Sequence, residues 1–266
     1  MFPYDAIKNQ LISLVEVNSG MRDSKGFKKT LDQIYSDCVD LIKKFPNFSQ
    51  LEDINKKYLT TQSSIFYYPI GSDSHMDITS SDIVLEFFPA ENPIGEPEKI
   101  IFPIAGADIN SSPYRIIIGL NKEATKRELL EKLDILKITL SHELVHIFKT
   151  MYGEYQRTGK EYLDAKNKIN KEKYITNSGE IDAFISQLIS ELEAIHKKDK
   201  NITLVDALNG SLIYKKFFDE VDKVYGKHVS DDKFKDGTDK KLRKIKKHML
   251  SKVVNFWKTE IGGKIK

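Results

Sequence analysis

His142 and His146 stand four positions apart, with Glu143 directly after the first, in the run His142-Glu143-Leu144-Val145-His146. On a helix, side chains at i and i+4 project from one face about a turn apart, so the two imidazoles can converge on one metal ion. Glu143 is turned by roughly 100° from His142, which lets its carboxylate reach a metal-bound water without being a ligand itself. Zinc in such a site lowers the pKa of its water toward ~7, and the carboxylate takes the proton as the resulting hydroxide attacks a carbonyl. From the chain's own His and Glu frequencies the pattern is expected by chance about 0.01 times, so an accidental histidine pair on a solvated helix face is the poorer explanation.

A helix must carry these residues, and the surrounding pattern provides one. Thr125 and Glu128 have the spacing of a capping box. Leu129, Leu133, Leu136, Leu140, Leu144, Ile147 and Met151 then form one apolar stripe, with Gly153 as the expected stop. Before this helix, Ser64–Ile70, Ile83–Phe88, Lys99–Ile104 and Tyr114–Leu120 are short runs rich in Ile, Val, Phe and Tyr and read as strands. Gly71 to Asp82 reads as a polar loop. From Tyr4 to about Tyr58 the period is helical, broken at Asn18-Ser19-Gly20 and Pro46-Asn47 into two main helices and a shorter third. After the long helix a charged connection, Glu154 to Tyr174, leads to a helix over Ser178–Lys197. The rest, from Leu204, is helical with a break at His228 to Thr238.

Composition narrows the chemistry further. The 266 residues are 40% hydrophobic and 30% charged, which suits a globular protein with an ample core. No apolar run approaches the ~18 residues of a membrane span. Met1 to Asp5 lacks the basic start and apolar stretch of a secretory signal, so the chain is expected in the cytoplasm; a lysine-rich, single-cysteine chain also suits a phage-encoded protein. Cys38 is the only cysteine, so His, Asp and Glu must hold any metal. A net charge of +3 is too mild to argue nucleic-acid binding. The excess gathers in a basic amphipathic helix, Lys240 to Trp257, with Leu242, Ile245, Met249, Val253 and Phe256 on one side. Such a helix ordinarily docks by its stripe, although it can touch nucleic acid or an anionic membrane surface.

The motif on an amphipathic helix after a set of strands resembles the zincin superfamily of metallopeptidases. A metzincin would place Gly and His where this chain has Lys149 and Tyr152, so that branch is excluded. Gluzincins draw a glutamate from a second helix downstream, and Gly179-Glu180-Ile181-Asp182-Ala183-Phe184 looks like the Glu-x-x-Ala pattern of several such families. The resemblance thus implies zinc held by His142, His146 and Glu180, with Glu143 as general base. Asn177 and Glu180 also have capping-box spacing, so Glu180 has a purely structural alternative; Glu172, Glu161 and Asp164 are then the other acidic candidates. Thermolysin-like gluzincins carry Asp where this chain has Phe184, so the group orienting the first histidine must come from another segment. Zincins stabilise the developing oxyanion with a further donor, for which Tyr155, Tyr162, Tyr174 and His196 lie downstream. His75, His228 and His248 read as isolated and solvated.

The expectation is an α+β protein: a zincin-like core with a small, mostly antiparallel sheet, an active-site helix, and helical N- and C-terminal regions, divided as 1–60, 61–153 and 154–266. The function implied is zinc-dependent hydrolysis of peptide bonds in a peptide or protein substrate. Extended substrate would pair with an edge strand beside the active-site helix, here Tyr114–Leu120, the last strand before it. The alternative is a structural or interaction protein of zincin fold, with weak or no catalysis, inside a larger assembly.

Overall fold

The computed structural model describes residues 25–44, 59–67, 79–92, 99–152, 171–225 and 237–262. They form eight α-helices, a short π-helical turn and one four-stranded sheet, an α+β arrangement. The chain divides into two compact units, with residues 25–152 in the first and 171–262 in the second. No helix among the described residues is long and apolar enough to cross a membrane.

The first unit begins with α1 (Lys25–Lys44), whose Phe27, Leu31, Ile34, Cys38, Val39 and Ile42 recur at helical spacing and are buried. This is the second of the two long N-terminal helices expected. The first and the short third, 4–18 and 51–58, lie outside the described residues. The strands are β1 (Leu59–Tyr67), β2 (Thr79–Ala90), β3 (Ile104–Asp108) and β4 (Tyr114–Asn121), in spatial order β1-β2-β4-β3. β1 with β2 and β3 with β4 are antiparallel, while β2 with β4 is parallel, so the sheet is mixed. Ile65, Ile83, Leu85, Phe87, Ile116 and Ile118 are buried on one face by strand alternation, and α1 packs against β1.

Three of the strand expectations shift. β2 starts at Thr79 rather than Ile83, because the last four residues of the expected Gly71–Asp82 loop pair with Ser64 to Tyr67. β1 starts at Leu59 rather than Ser64, because Leu59 to Ser63 pair with Phe87 to Ile83 although Thr60, Thr61 and Gln62 carry no apolar alternation. The third strand is Ile104–Asp108 and not Lys99–Ile104. Ile101 and Phe102 are buried in an irregular segment. That segment is held by Asn92, which accepts from Ile100 N–H at 2.8 Å, and by Asn121, whose Nδ2 donates to the Ile100 carbonyl at 2.9 Å. A larger correction concerns Tyr114–Leu120. It is not an edge: β4 lies between β2 and β3, and the edge on that side is β3.

Asn121 Oδ1 accepts from Glu123 N–H at 2.9 Å and turns the chain out of β4 toward two consecutive helices, α2 (Lys126–Glu131) and α3 (Leu133–Met151). The capping box at α2 is formed: Thr125 Oγ1 accepts from Glu128 N–H at 3.2 Å and Glu128 Oε2 accepts from Thr125 N–H at 2.7 Å. The single long helix expected is interrupted at Lys132, whose ψ of 23° leaves helical geometry and whose N–H is shared by the Glu128 and Leu129 carbonyls. Leu129 and Leu136, on either side of the interruption, are both fully buried. α3 packs against α1, β3 and β4, and ends with Tyr152 as its C-cap; Gly153 lies outside the described residues.

The second unit is helical: α4 (Lys171–Thr176), α5 (Ser178–Lys198), α6 (Leu204–Gly210), α7 (Leu212–Tyr225), α8 (Gly237–Phe256) and the π-helical turn Trp257–Ile261. Its core gathers Ile181, Ile185, Leu188 and Leu192 of α5, Tyr214, Phe217 and Phe218 of α7, and Met249, Leu250, Val253 and Trp257. Glu191 caps α7, accepting from Leu212 N–H at 2.8 Å, from Ile213 N–H at 3.1 Å and from the Ser211 hydroxyl. The basic helix α8 docks by its stripe: Leu242, Ile245, Met249, Val253 and Phe256 are buried, and Arg243, Lys244 and Lys247 are exposed.

Candidate metal centre

Every residue of α3 from Leu140 to Lys149 is buried. A helix enclosed on all sides is ordinarily apolar throughout, yet this one places His142, Glu143, His146 and Lys149 inside. Leu140, Leu144, Ile147 and Phe148 are fully buried, and the Phe148 ring meets Phe27 of α1 edge-on at 5.3 Å. That packing fixes the rotation of α3. His142 and His146 then share the remaining face, with ring centroids 5.1 Å apart and planes at 69°. The His146 carbonyl accepts from the Thr150 hydroxyl at 2.9 Å, inside the same turn.

Glu180 lies in the first turn of α5 and is 1% exposed. Asn177 makes the capping hydrogen bonds at this terminus. The Asn177 side chain accepts from Gly179 N–H at 2.7 Å and Glu180 N–H at 3.4 Å, while Asn177 N–H donates to the Tyr174 carbonyl at 3.2 Å. The helix is therefore capped by Asn177, and the reciprocal arm of a capping box is taken by a carbonyl. A first-turn position also favours a negative side chain through the helix dipole.

One ligand atom from each of His142, His146 and Glu180 lies within 4.8 Å of the others, and all three side chains are buried. Two imidazoles and a carboxylate are a donor set for a divalent ion such as zinc, leaving a fourth tetrahedral position open. The only thiol, Cys38, is buried in the apolar stripe of α1, and burial pushes its pKa well up, so it takes no part.

The remaining candidates separate. Phe184, where the thermolysin-like pattern has Asp, is core: its ring meets Phe217 at 5.2 Å and Tyr174 at 6.3 Å. Asp182 pairs with His248 at 3.1 Å, so His248 is not the isolated histidine its sequence context suggests. His196 packs edge-on to Trp257 at 5.5 Å. Sixteen positions beyond Glu180 on the same helix, it stands roughly 24 Å away along the axis, too far to act there. Tyr155, Tyr162, Glu161 and Asp164, like His75, His228 and the Glu172 side chain, lie outside what is described. Lys149, seven positions after His142, is buried on the same helix.

No protein-family model, curated protein or solved structure matches the chain significantly.

Proposed function

We propose that the protein is a zinc-dependent peptidase in which His142, His146 and Glu180 hold the metal and Glu143 moves the proton. One observation carries the reading: three buried donors lie within 4.8 Å of one another, and the helix supplying two of them also buries a carboxylate at the adjoining position. Bound zinc would supply Lewis acidity, acidifying a water and polarising a carbonyl. Glu143 accepts the proton of the attacking water as its oxygen bonds to the carbonyl carbon and the C=O π pair moves onto the carbonyl oxygen. It returns that proton to nitrogen as the C–N bond breaks.

The strand suited to receive substrate is β3. It is an edge that pairs with β4 alone among the described residues, and α3 packs against it. Backbone pairing there would orient an extended peptide without demanding particular side chains.

The test is metal analysis of the purified full chain beside a peptidase assay on an unstructured peptide library, for wild type and Glu143→Gln. The expected result is one zinc per chain in both proteins, with hydrolysis only in the wild type. Cleavage by Glu143→Gln at the wild-type rate would remove Glu143 from the mechanism. Absence of zinc from the wild type would end the metal reading altogether.

A further inference from the structure

Strand β3 closes one side of the sheet and, among the described residues, pairs with β4 alone. Its outer row of backbone N–H and C=O groups can therefore take a further strand. Side chains alternate along a strand, so Ile104, Gly106 and Asp108 share one face with their β4 partners Gly119, Ile117 and Arg115. The packing at Gly119 agrees: a Cβ there would stand 3.2 Å from the Ile104 Cβ and 3.1 Å from the Phe88 ring.

Each of these three positions ends a row of side chains that runs across the sheet, and each row offers an added strand something different. In the first, Phe88, Gly119 and Ile104 lie side by side; with no side chain on Gly119, the half-buried Phe88 and the 50% exposed Ile104 close over it as an apolar step at the edge. The second row runs Glu86, Ile117, Gly106. Nothing lies within 4 Å of where a Gly106 Cβ would be, so a ring on the added strand has room there and covers both the bare glycine and the half-buried Ile117. The third row runs Val84, Arg115, Asp108. The Arg115 guanidinium turns inward to Glu86 at 3.0 Å, and the Asp108 carboxylate accepts from Asn110 N–H at 3.1 Å. Among the described residues Asp108 has no ion-pair partner, so its negative charge is presented at the edge to whatever pairs with β3. Directly opposed side chains of opposite charge stabilise a strand pair, and like charges oppose it.

We propose that β3 selects its substrate by side chain: an extended segment with a lysine or arginine beside Asp108, an aromatic residue beside Gly106 and an apolar residue beside Ile104, at alternate positions. Antiparallel pairing is the more stable per residue, so along the substrate the order is basic, aromatic, apolar. The proposal rests on the peptidase reading above, and its test keeps the two apart. Glu143→Gln in the full, zinc-loaded chain serves as the binding background, so that bound peptide is not cut, and fluorescence anisotropy follows a labelled peptide Gly-Lys-Ser-Tyr-Ser-Leu-Gly. This peptide should bind about threefold or more tightly than its counterpart with Glu for Lys. Adding Asp108→Lys should invert that preference, and Asp108→Asn, which should abolish it, replaces that variant if it fails to fold. Exchanging Leu for Ser in the peptide should weaken binding to the background protein and make little difference once Ile104→Ser is added. No binding of the peptide, equal affinity for the Lys and Glu forms, or a preference that survives the Asp108 substitutions overturns selection by β3. Absence of zinc from the wild type overturns the metal reading instead.

Discussion

Two side chains at the start of α5 have separable jobs, and two mutations distinguish them. Asn177 carries the cap, so Asn177→Ala should cost about 1 kcal/mol of stability and leave zinc affinity unchanged. If Glu180 is the third ligand, Glu180→Ala should lower zinc affinity by orders of magnitude whatever it does to stability. Equilibrium zinc titration and urea unfolding on both variants give the answer; equal zinc affinity in the two would return the third-ligand position to another acidic residue. Glu128 makes a different residue-scale prediction. Its hydrogen bond from Lys99, followed by those from Thr125, holds its carboxyl down to about 2. A carboxylate depressed in the folded state contributes stability that is complete above its ordinary value near 4.5 and is lost as pH falls from there toward 2. Melting curves across that window should therefore fall more steeply for wild type than for Glu128→Gln, and parallel profiles would show that the capping box contributes nothing to acid sensitivity.

At the scale of elements, the first unit depends on how closely α1 approaches β1. A Cβ on Gly26 would stand 2.6 Å from the Phe66 carbonyl oxygen, a backbone atom that can move only with its strand. Thr30, one turn on, clasps the same residue: its hydroxyl accepts from Phe66 N–H at 2.7 Å and donates to the Phe66 carbonyl at 3.2 Å. Gly26→Ala should push the helix off the strand and cost about 1–3 kcal/mol in urea unfolding, whereas a loss under half a kcal/mol would mean that the helix yields freely. None of this contact is legible in the sequence, since Gly26 and Phe66 are forty positions apart and neither belongs to a motif. What was legible followed from short-range periodicity: α1, the capping box, α3 and α5 all announce themselves within a few turns. Sheet order was not, because adjacency along the chain does not dictate adjacency in space, and β4, next to α3 in sequence, is interior to the sheet. β3 was displaced because Ala105, Gly106 and Ala107 carry no strand signal while buried Ile101 and Phe102 imitate one. The site divides in the same way. The histidine pair was readable from local spacing, whereas Glu180 needed a resemblance to suggest it and the fold to bring it within 4.8 Å of the histidines.

For the molecule as a whole, the net charge of +3 is a poor guide to the site. Helix α8 alone holds seven Lys and Arg against one Asp, leaving the rest of the chain acidic. That basic ridge is the exposed side of a docked helix, far more conspicuous in composition than the buried Glu143, Lys149 and Glu180. Buried charge has a consequence that can be measured on the intact protein. If His142, His146 and Glu180 hold a dication, its binding to the native state stabilises the fold by mass action, by ~2.7 kcal/mol at a hundredfold excess over its dissociation constant. Chelation of the purified protein should then lower its melting temperature by at least about 5 °C, and added zinc should restore it. The same shift is expected in Glu143→Gln, which keeps the ligands, and should vanish in His142→Ala and Glu180→Ala. If the melting temperature ignores chelator in wild type while metal analysis still finds zinc, the ion is bound elsewhere and the buried triad does not hold it; if the shift persists in Glu180→Ala, the histidines alone hold the metal and the carboxylate of α5 is buried for another reason.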